Sequence, residues 1–228
     1  RTKHCREIIA DRKSLRQTSM SRLAMKILTA IVTLSLTSAL KIVLPGGTGP
    51  LGRVLASTLS QSGHSVTILC RNSFLAATPN RVSGDFGWVG RSFLESIDAR
   101  NVRLRDWDGG DLLDIVGNDW FGWQEDALKS ADIVINLVGG FTAQREMAAE
   151  RLIRESNQMC PMTLHVSVSP TDEDMAKFKP VMLKAKLDRL GRIEKMYEAN
   201  CNNVRCLRLP LGKSKIQGCC DEIMDLIK

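Results

Sequence analysis

The sequence predicts an α/β fold built on a doubly wound parallel sheet, and three observations carry that expectation. Short apolar runs alternate with stretches of strong helix formers from Lys41 onward. A glycine-dense turn, Gly46-Gly47-Thr48-Gly49-Pro50-Leu51-Gly52, closes the first of those runs and opens a helix. At 228 residues and 43% hydrophobic, the chain buries one such core and leaves little for a second.

The apolar run from Lys41 is the first strand and Arg53–Ser62 the first helix. His64–Arg71 (HSVTILCR) is a second buried strand, with Cys70 a small core residue in it. Asn72–Ser83 is loop-like and Gly84–Gly90 turn-rich. Asn101–Asp106 alternates apolar and polar residues as a third strand does, and Trp107–Trp123 reads as loop with a short helix. Glu125–Ser130 is a helical approach to the fourth strand, Asp132–Val138. Ala143–Ser156 is rich in helix formers. Leu164–Val168 is the fifth strand, Val181–Asn200 a long helix and Val204–Leu209 the sixth strand, with a short helix at Asp221–Ile227. No repeat or low-complexity segment interrupts this order.

The formal charge of +7 suggests nucleic acid until it is located. Residues 1–26 carry a net +6 and the remaining chain +1. A nucleic-acid binder concentrates positive charge on its folded domain, so this distribution points away from that partner. Instead, Arg22 and Lys26 precede the apolar Ile27–Leu36 and the small residues Thr37-Ser38-Ala39, with Met20 and Met25 as candidate starts. That is the grammar of a cleaved targeting segment; the alternative is a plain extension. The apolar stretch is too short for a transmembrane helix. Residues 1–39 thus form a basic extension and targeting segment, and 40–228 the folded domain. The seven cysteines show no metal-ligand spacing, so no metal is expected, and their odd number suits a reducing compartment. Together these features favour an organelle interior, with secretory entry still open.

The turn at 46–52 carries the chemistry. Gly46, Gly49 and Gly52 stand three apart between a strand and a helix. Glycines there let the backbone pass close to a phosphate group, which the helix N-terminus faces with free N–H groups. The spacing predicts a dinucleotide site formed by Gly46, Gly47, Thr48, Gly49, Pro50, Leu51 and Gly52. The second strand ends in Arg71-Asn72-Ser73, with no acid at the position where a carboxylate would hold the ribose hydroxyls of NAD. An arginine there suits a 2′-phosphate, so NADP is expected before NAD.

Over residues 41–210 the chain resembles the short-chain dehydrogenase/reductase superfamily, and more narrowly its extended or atypical members with the motif GGTGxLG. The landmarks are GGTGPLG at 46–52, Gly63-His64, Arg71, NLVGG at 136–140 and RLP at 208–210. DWDG at 106–109 followed by DALKSADIVINLVG at 126–139 is similar to an epimerase-like group of nucleotide-sugar-type reductases. The resemblance implies a Rossmann-like domain with Asp106 and Trp107 near the adenine. It puts Leu137, Val138 and Gly139 beside the nicotinamide ribose, Lys186 on that ribose and Ser169 near the substrate.

The same resemblance exposes two departures. Active members carry Tyr-x-x-x-Lys on the helix after the fifth strand, one helix face holding both side chains. Here Met182 stands four residues before Lys186 and Pro180 four before Lys184, while the single tyrosine, Tyr197, has Cys201 four residues after it. Ser167 and Ser169 read equally as polar strand-end residues, His165 as a packed one and Asp172–Asp174 as solvated surface. Beyond the sixth strand only Leu211–Lys228 remains, a truncated version of the region that usually shapes the substrate pocket. Trp88, Trp107, Trp120 and Trp123 are read as core, ligand wall or partner surface. Two functions stay open: an NADP(H)-dependent reductase or epimerase on a small carbonyl or sugar-like substrate, and a catalytically silent dinucleotide-binding scaffold or assembly factor that works through protein partners.

Overall fold

The computed structural model describes residues 39–78, 80–81, 88–89, 92–97, 100–109, 122–139, 143–210 and 212–227. The chain divides into Arg1–Ala39 and Leu40–Lys228. The targeting segment expected in the first part lies outside the described residues, as does Trp120.

Six parallel strands form the main sheet: β1 (Lys41–Pro45), β2 (Ser65–Cys70), β5 (Val102–Asp106), β6 (Ile133–Asn136), β7 (Leu164–Pro170) and β8 (Asn203–Leu209). A small antiparallel ribbon pairs β3 (Asn80–Arg81) with β4 (Trp88–Val89). In space the main strands run β5-β2-β1-β6-β7-β8. The chain builds outward from β1 through β2 to β5, returns to β6 beside β1, then builds outward again through β7 to β8. Strand order therefore reverses between β1 and β6, which opens a crevice at their carboxyl ends.

The helices are α1 (Pro50–Gln61), α2 (Ser73–Ala77), α3 (Phe93–Ser96), α4 (Trp123–Ala127), α5 (Ala143–Met159), α6 (Asp172–Met175), α7 (Pro180–Asn200) and α8 (Ile216–Ile227), with a 3-10 turn at Lys213–Lys215 before the last. They cover both faces, so interior strands read as continuous apolar runs. In β1, Ile42 and Leu44 pack with Leu55 and Leu59 of α1 and with Cys219, Cys220 and Ile223 of α8. Val43 points the other way, to Trp107, Trp123, Leu128 and Leu152. A third cluster joins α5 to α7 through Ile153, Ile193 and Tyr197.

Several boundaries differ from the sequence expectation, each for a physical reason. The first helix begins at Pro50, three residues before Arg53, because Gly49 is an extended N-cap and proline suits the first turn, where its missing N–H costs nothing. Part of the expected loop after β2 is the helix α2, held from outside by the Asp106 carboxylate, which accepts from the Ser73 N–H. Strand β7 runs on to Pro170 because β8 pairs with it through Pro170 and Leu209. The last helix begins at Ile216, five residues before Asp221, because Cys219 and Cys220 are buried in the core.

Two core positions give direct tests. A Cβ on Gly52 would lie within 2.5 Å of the Gly47 Cα, so the first turn of α1 sits directly on the glycine turn. Gly52→Ala gains helix propensity, yet it is expected to lower unfolding free energy by about 1–3 kcal/mol through overpacking, read by denaturant titration. His165 is buried beside Ser156 (Nε2 to Oγ 3.1 Å), and burial lowers its pKa from 6.5 to about 4. The unfolded chain protonates first, so its contribution is full above about pH 6.5 and is lost as pH falls towards 4. The loss reaches about 3 kcal/mol. His165→Gln should flatten that part of the stability–pH curve relative to the native chain.

Candidate functional site

At the carboxyl ends of the central strands lies a cavity of about 720 Å³. Gly46, Thr48, Gly49, Pro50, Leu51 and Gly52 form its floor, Cys70, Arg71, Trp107 and Gly109 one end, and Leu137, Val138 and Gly139 the facing wall. Beyond that wall, Gln144, Arg145, Val168, Pro170, Lys177 and Phe178 close the other end, with Gly212, Ile216 and Cys219 contributed after β8. Residues after the sixth strand therefore help to enclose the cavity.

The three spaced glycines have different tasks. Gly46 takes φ +75°, and a Cβ there would stand 2.8 Å from the Val138 backbone; its N–H donates to Leu69 O at 3.0 Å. It ties β1, β2 and the end of β6 into one turn. Gly52 admits the helix onto that turn. Gly49 has an ordinary φ of −72°, and its added Cβ would meet nothing closer than Gly46 O at 3.9 Å. The fold leaves room for a side chain at that position, which lines the cavity. No side chain caps α1, and Pro50 brings no N–H, so the partial positive charge of the helix start faces the cavity.

Among the described residues that line the cavity, charge is net positive: Arg71, Arg145 and Lys177 against Asp174, which pairs with Lys177 at 3.1 Å. Two acids at the end of β5 are engaged elsewhere. Asp106 holds α2, and buried Asp108 pairs with Arg151 at 3.1 Å, whose other branch holds Glu155 at 2.7 Å. Burial, with Asp106 adding to it, pushes the Cys70 thiol up to about 12, so it lines the wall as an uncharged group.

Of the residues singled out in the sequence, Gly46, Thr48, Gly49, Pro50, Leu51, Gly52, Arg71, Trp107, Leu137, Val138 and Gly139 line the cavity together. Gly47, Asn72, Asp106, Ser169 and Lys186 are not among its lining residues. Gly47 lies beneath the turn against Leu44, and Asp106 behind Trp107. The Lys186 ammonium rests 3.0 Å from the centroid of the Phe178 ring, a cation–π contact behind the cavity wall. Met182 is 51% exposed. Tyr197 is fully buried and accepts from Asn136 Nδ2 at 3.0 Å; burial pushes its hydroxyl well above the ordinary tyrosine range. Trp107 lines the cavity and Trp123 packs edge-on to it at 5.4 Å.

Arg145 escaped the sequence reading. A charged residue in the first turn of a helix reads as solvated, yet this one is 2% exposed. The usable signal was its place shortly after Gly139-Gly140, where the crossover from β6 must pass over the crevice. Phe178 and Lys177 were likewise hidden, because only the β7–α7 connection in three dimensions brings them over the cavity.

Neither a protein-family model nor a curated protein sequence matches the chain. Solved structures do. An alternative dihydrofolate reductase (FolM) from Brucella suis, in complex with NADP, superposes with TM-score 0.51 over 76% of this chain and 72% of its own at 13% identity. A short-chain dehydrogenase/reductase from Vibrio parahaemolyticus gives 0.50 over 74% and 82% at 14% identity. A longer solved chain, of which this one spans 58%, gives 0.52 at 9% identity. Likenesses at these identities establish the fold: this is a Rossmann-type α/β domain with the architecture of the short-chain dehydrogenases and reductases.

Gly49→Ala is the clean probe of the floor. It should fold with a stability within about 1 kcal/mol of the native chain, the ordinary range for exchange at an uncapped N-cap. A larger loss in the same denaturant titration would mean that the fold, not a ligand, demands this glycine.

Proposed function

We propose that the chain binds NADP(H) across this cavity and acts as an oxidoreductase of the short-chain dehydrogenase/reductase type on a small carbonyl or sugar-like compound. The observation that carries the reading is Gly49: the fold leaves room for a side chain, and that room lies in the cavity at an uncapped helix start. Thr48–Gly52 would hold the pyrophosphate and Leu137–Gly139 the nicotinamide ribose. Arg71, with Trp107 beside it, would hold the adenine ribose and its 2′-phosphate, while Asp106 is committed to the Ser73 N–H. The NADP in the Brucella reductase supports the same cofactor choice.

When bound, the nicotinamide supplies or accepts the hydride exchanged with a carbonyl carbon. The protein's own part is to hold the ring against Val138 and Gly139 and to shield it with Val168, Pro170 and Phe178. The alcohol proton would come from water, because the one tyrosine is committed to Asn136 outside the cavity. That position, with Lys186 on Phe178, favours a second reading: a nucleotide-binding module that turns nothing over and docks a protein partner. With either reading goes the proposal that residues 1–39 direct the domain into an organelle or the secretory route.

Calorimetric titration with NADPH and NADH tests the cofactor. NADPH should bind more tightly than NADH, and Arg71→Ala should cost NADPH about 10–100-fold while sparing NADH, the range for one lost charge-assisted contact. Gly49→Val should remove both; unchanged NADPH affinity in that variant overturns the site. NADPH consumption with a panel of aldehydes and ketones then separates the readings, since the silent module binds and never oxidises it.

A further inference from the structure

Arg145 has no role in the cofactor reading, yet it is the most unusual group in the cavity. It is 2% exposed and lines the end between β6 and β7. Its Nη1 donates to Val138 O at 3.2 Å, and its Nη2 donates to Val168 O at 2.5 Å and to Ser169 Oγ at 2.9 Å. All three acceptors are uncharged. They use three of the five N–H groups and cancel none of the charge, and Nε is buried without a partner.

Among the described residues no carboxylate forms an ion pair with Arg145. Glu194 contributes to its electrostatics, but that carboxylate is already bound by Arg208 at 2.9 and 3.0 Å. A buried guanidinium without a counter-charge is costly, and burial here works against its charge. Bracing alone does not explain it. The same turn is braced by a neutral amide, Asn136 Oδ1 accepting from Val138 N at 3.0 Å, where hydrogen bonding is all that is needed. A charge kept at this point calls for an anion in the cavity.

We propose that the β6–β7 end of the cavity is an anion site and that the small molecule bound there carries a carboxylate. The inference deepens the cofactor reading and rests on it only for the direction in which the nucleotide lies. The glycine floor and Arg71 already face the nucleotide's phosphates from the β1–β2 side. Arg145 stands on the opposite side of β1, beyond β6, where the reactive end of the nucleotide and its substrate would meet.

The test uses the full chain, with and without saturating NADPH, and pairs of probes alike in shape and different in charge: pyruvate against pyruvamide, and 2-oxobutanoate against its amide. Calorimetry should show each acid binding at least tenfold more tightly than its amide. Arg145→Met should lose that preference and keep NADPH affinity within twofold. Arg145→Lys should retain part of the preference, and circular dichroism should report both variants folded. If the methionine variant fails to fold, the native acid–amide comparison still decides. Equal affinity for acid and amide, or binding of neither, overturns the proposal. So does a fall in NADPH affinity in Arg145→Met without an acid preference in the native chain, which would assign the charge to the nucleotide's own phosphates. Absent NADPH binding would sink the cofactor reading alone, because the acid preference is also measured on the nucleotide-free chain.

Discussion

Everything at the crevice depends on one close approach: the first turn of α1 lies against the glycine turn with no room for a methyl group. Gly52 sits on the Gly47 backbone, and Gly46 sits on the Val138 backbone, also with no room for a Cβ. These two contacts lock β1, α1 and the end of β6 into one rigid corner. The helix start is thereby aimed into the gap between β1 and β6, the place where strand order reverses. A looser corner would leave the same residues in the same order and no cavity with a defined floor. Neither contact buries much apolar area. Their value is geometric, and the apolar packing of Ile42, Leu44, Leu55 and Leu59 behind the corner keeps it closed.

Around that corner the chain separates its charges with some care. Two acids close to the β5 end of the cavity are withdrawn from it: Asp106 caps α2 and Asp108 is buried against Arg151. Arg71 lines the cavity on that side. At the far side Arg145 is held by carbonyl and hydroxyl oxygens alone. The acid among the lining residues, Asp174, is matched by Lys177. A cavity furnished in this way is suited to an anionic ligand from end to end, and the glycine floor supplies partial positive charge between the two arginines.

The alternation of strands and helices, the parallel sheet and the glycine floor could all be read from the residues, because each is written in a local pattern. Three glycines at fixed spacing, apolar runs of strand length and helix formers between them need no tertiary information. What could not be read was set by contacts distant in sequence. α2 exists because Asp106, more than thirty residues on, holds its first N–H. The first half of α8 looks polar until Cys219 and Cys220 are seen against α1. Arg145 and Phe178 become site residues only when the crossovers from β6 and β7 fold over the crevice. Lys186 shows the reverse: the resemblance would put it on the nicotinamide ribose, while its ammonium lies on the Phe178 ring.

The placement of Tyr197 bears on chemistry more than its mere identity does. Its hydroxyl accepts a hydrogen bond from Asn136, whose carbonyl oxygen in turn holds the Val138 N–H. The tyrosine thus supports, from behind, the wall that the nicotinamide would face, in an environment that strongly disfavours its ionised form. A group so placed cannot exchange protons with a bound molecule, but it can fix the wall that positions one. If the domain is a reductase, it has divided the work differently from relatives with a tyrosine in the cavity. Positioning falls to the Asn136–Tyr197 pair and charge recognition to Arg145, while water carries the proton. Such a division favours a substrate whose own carboxylate orients it. The anion site and the missing acid–base tyrosine are then two sides of one arrangement: orientation by charge at Arg145 stands in for orientation by a catalytic hydroxyl.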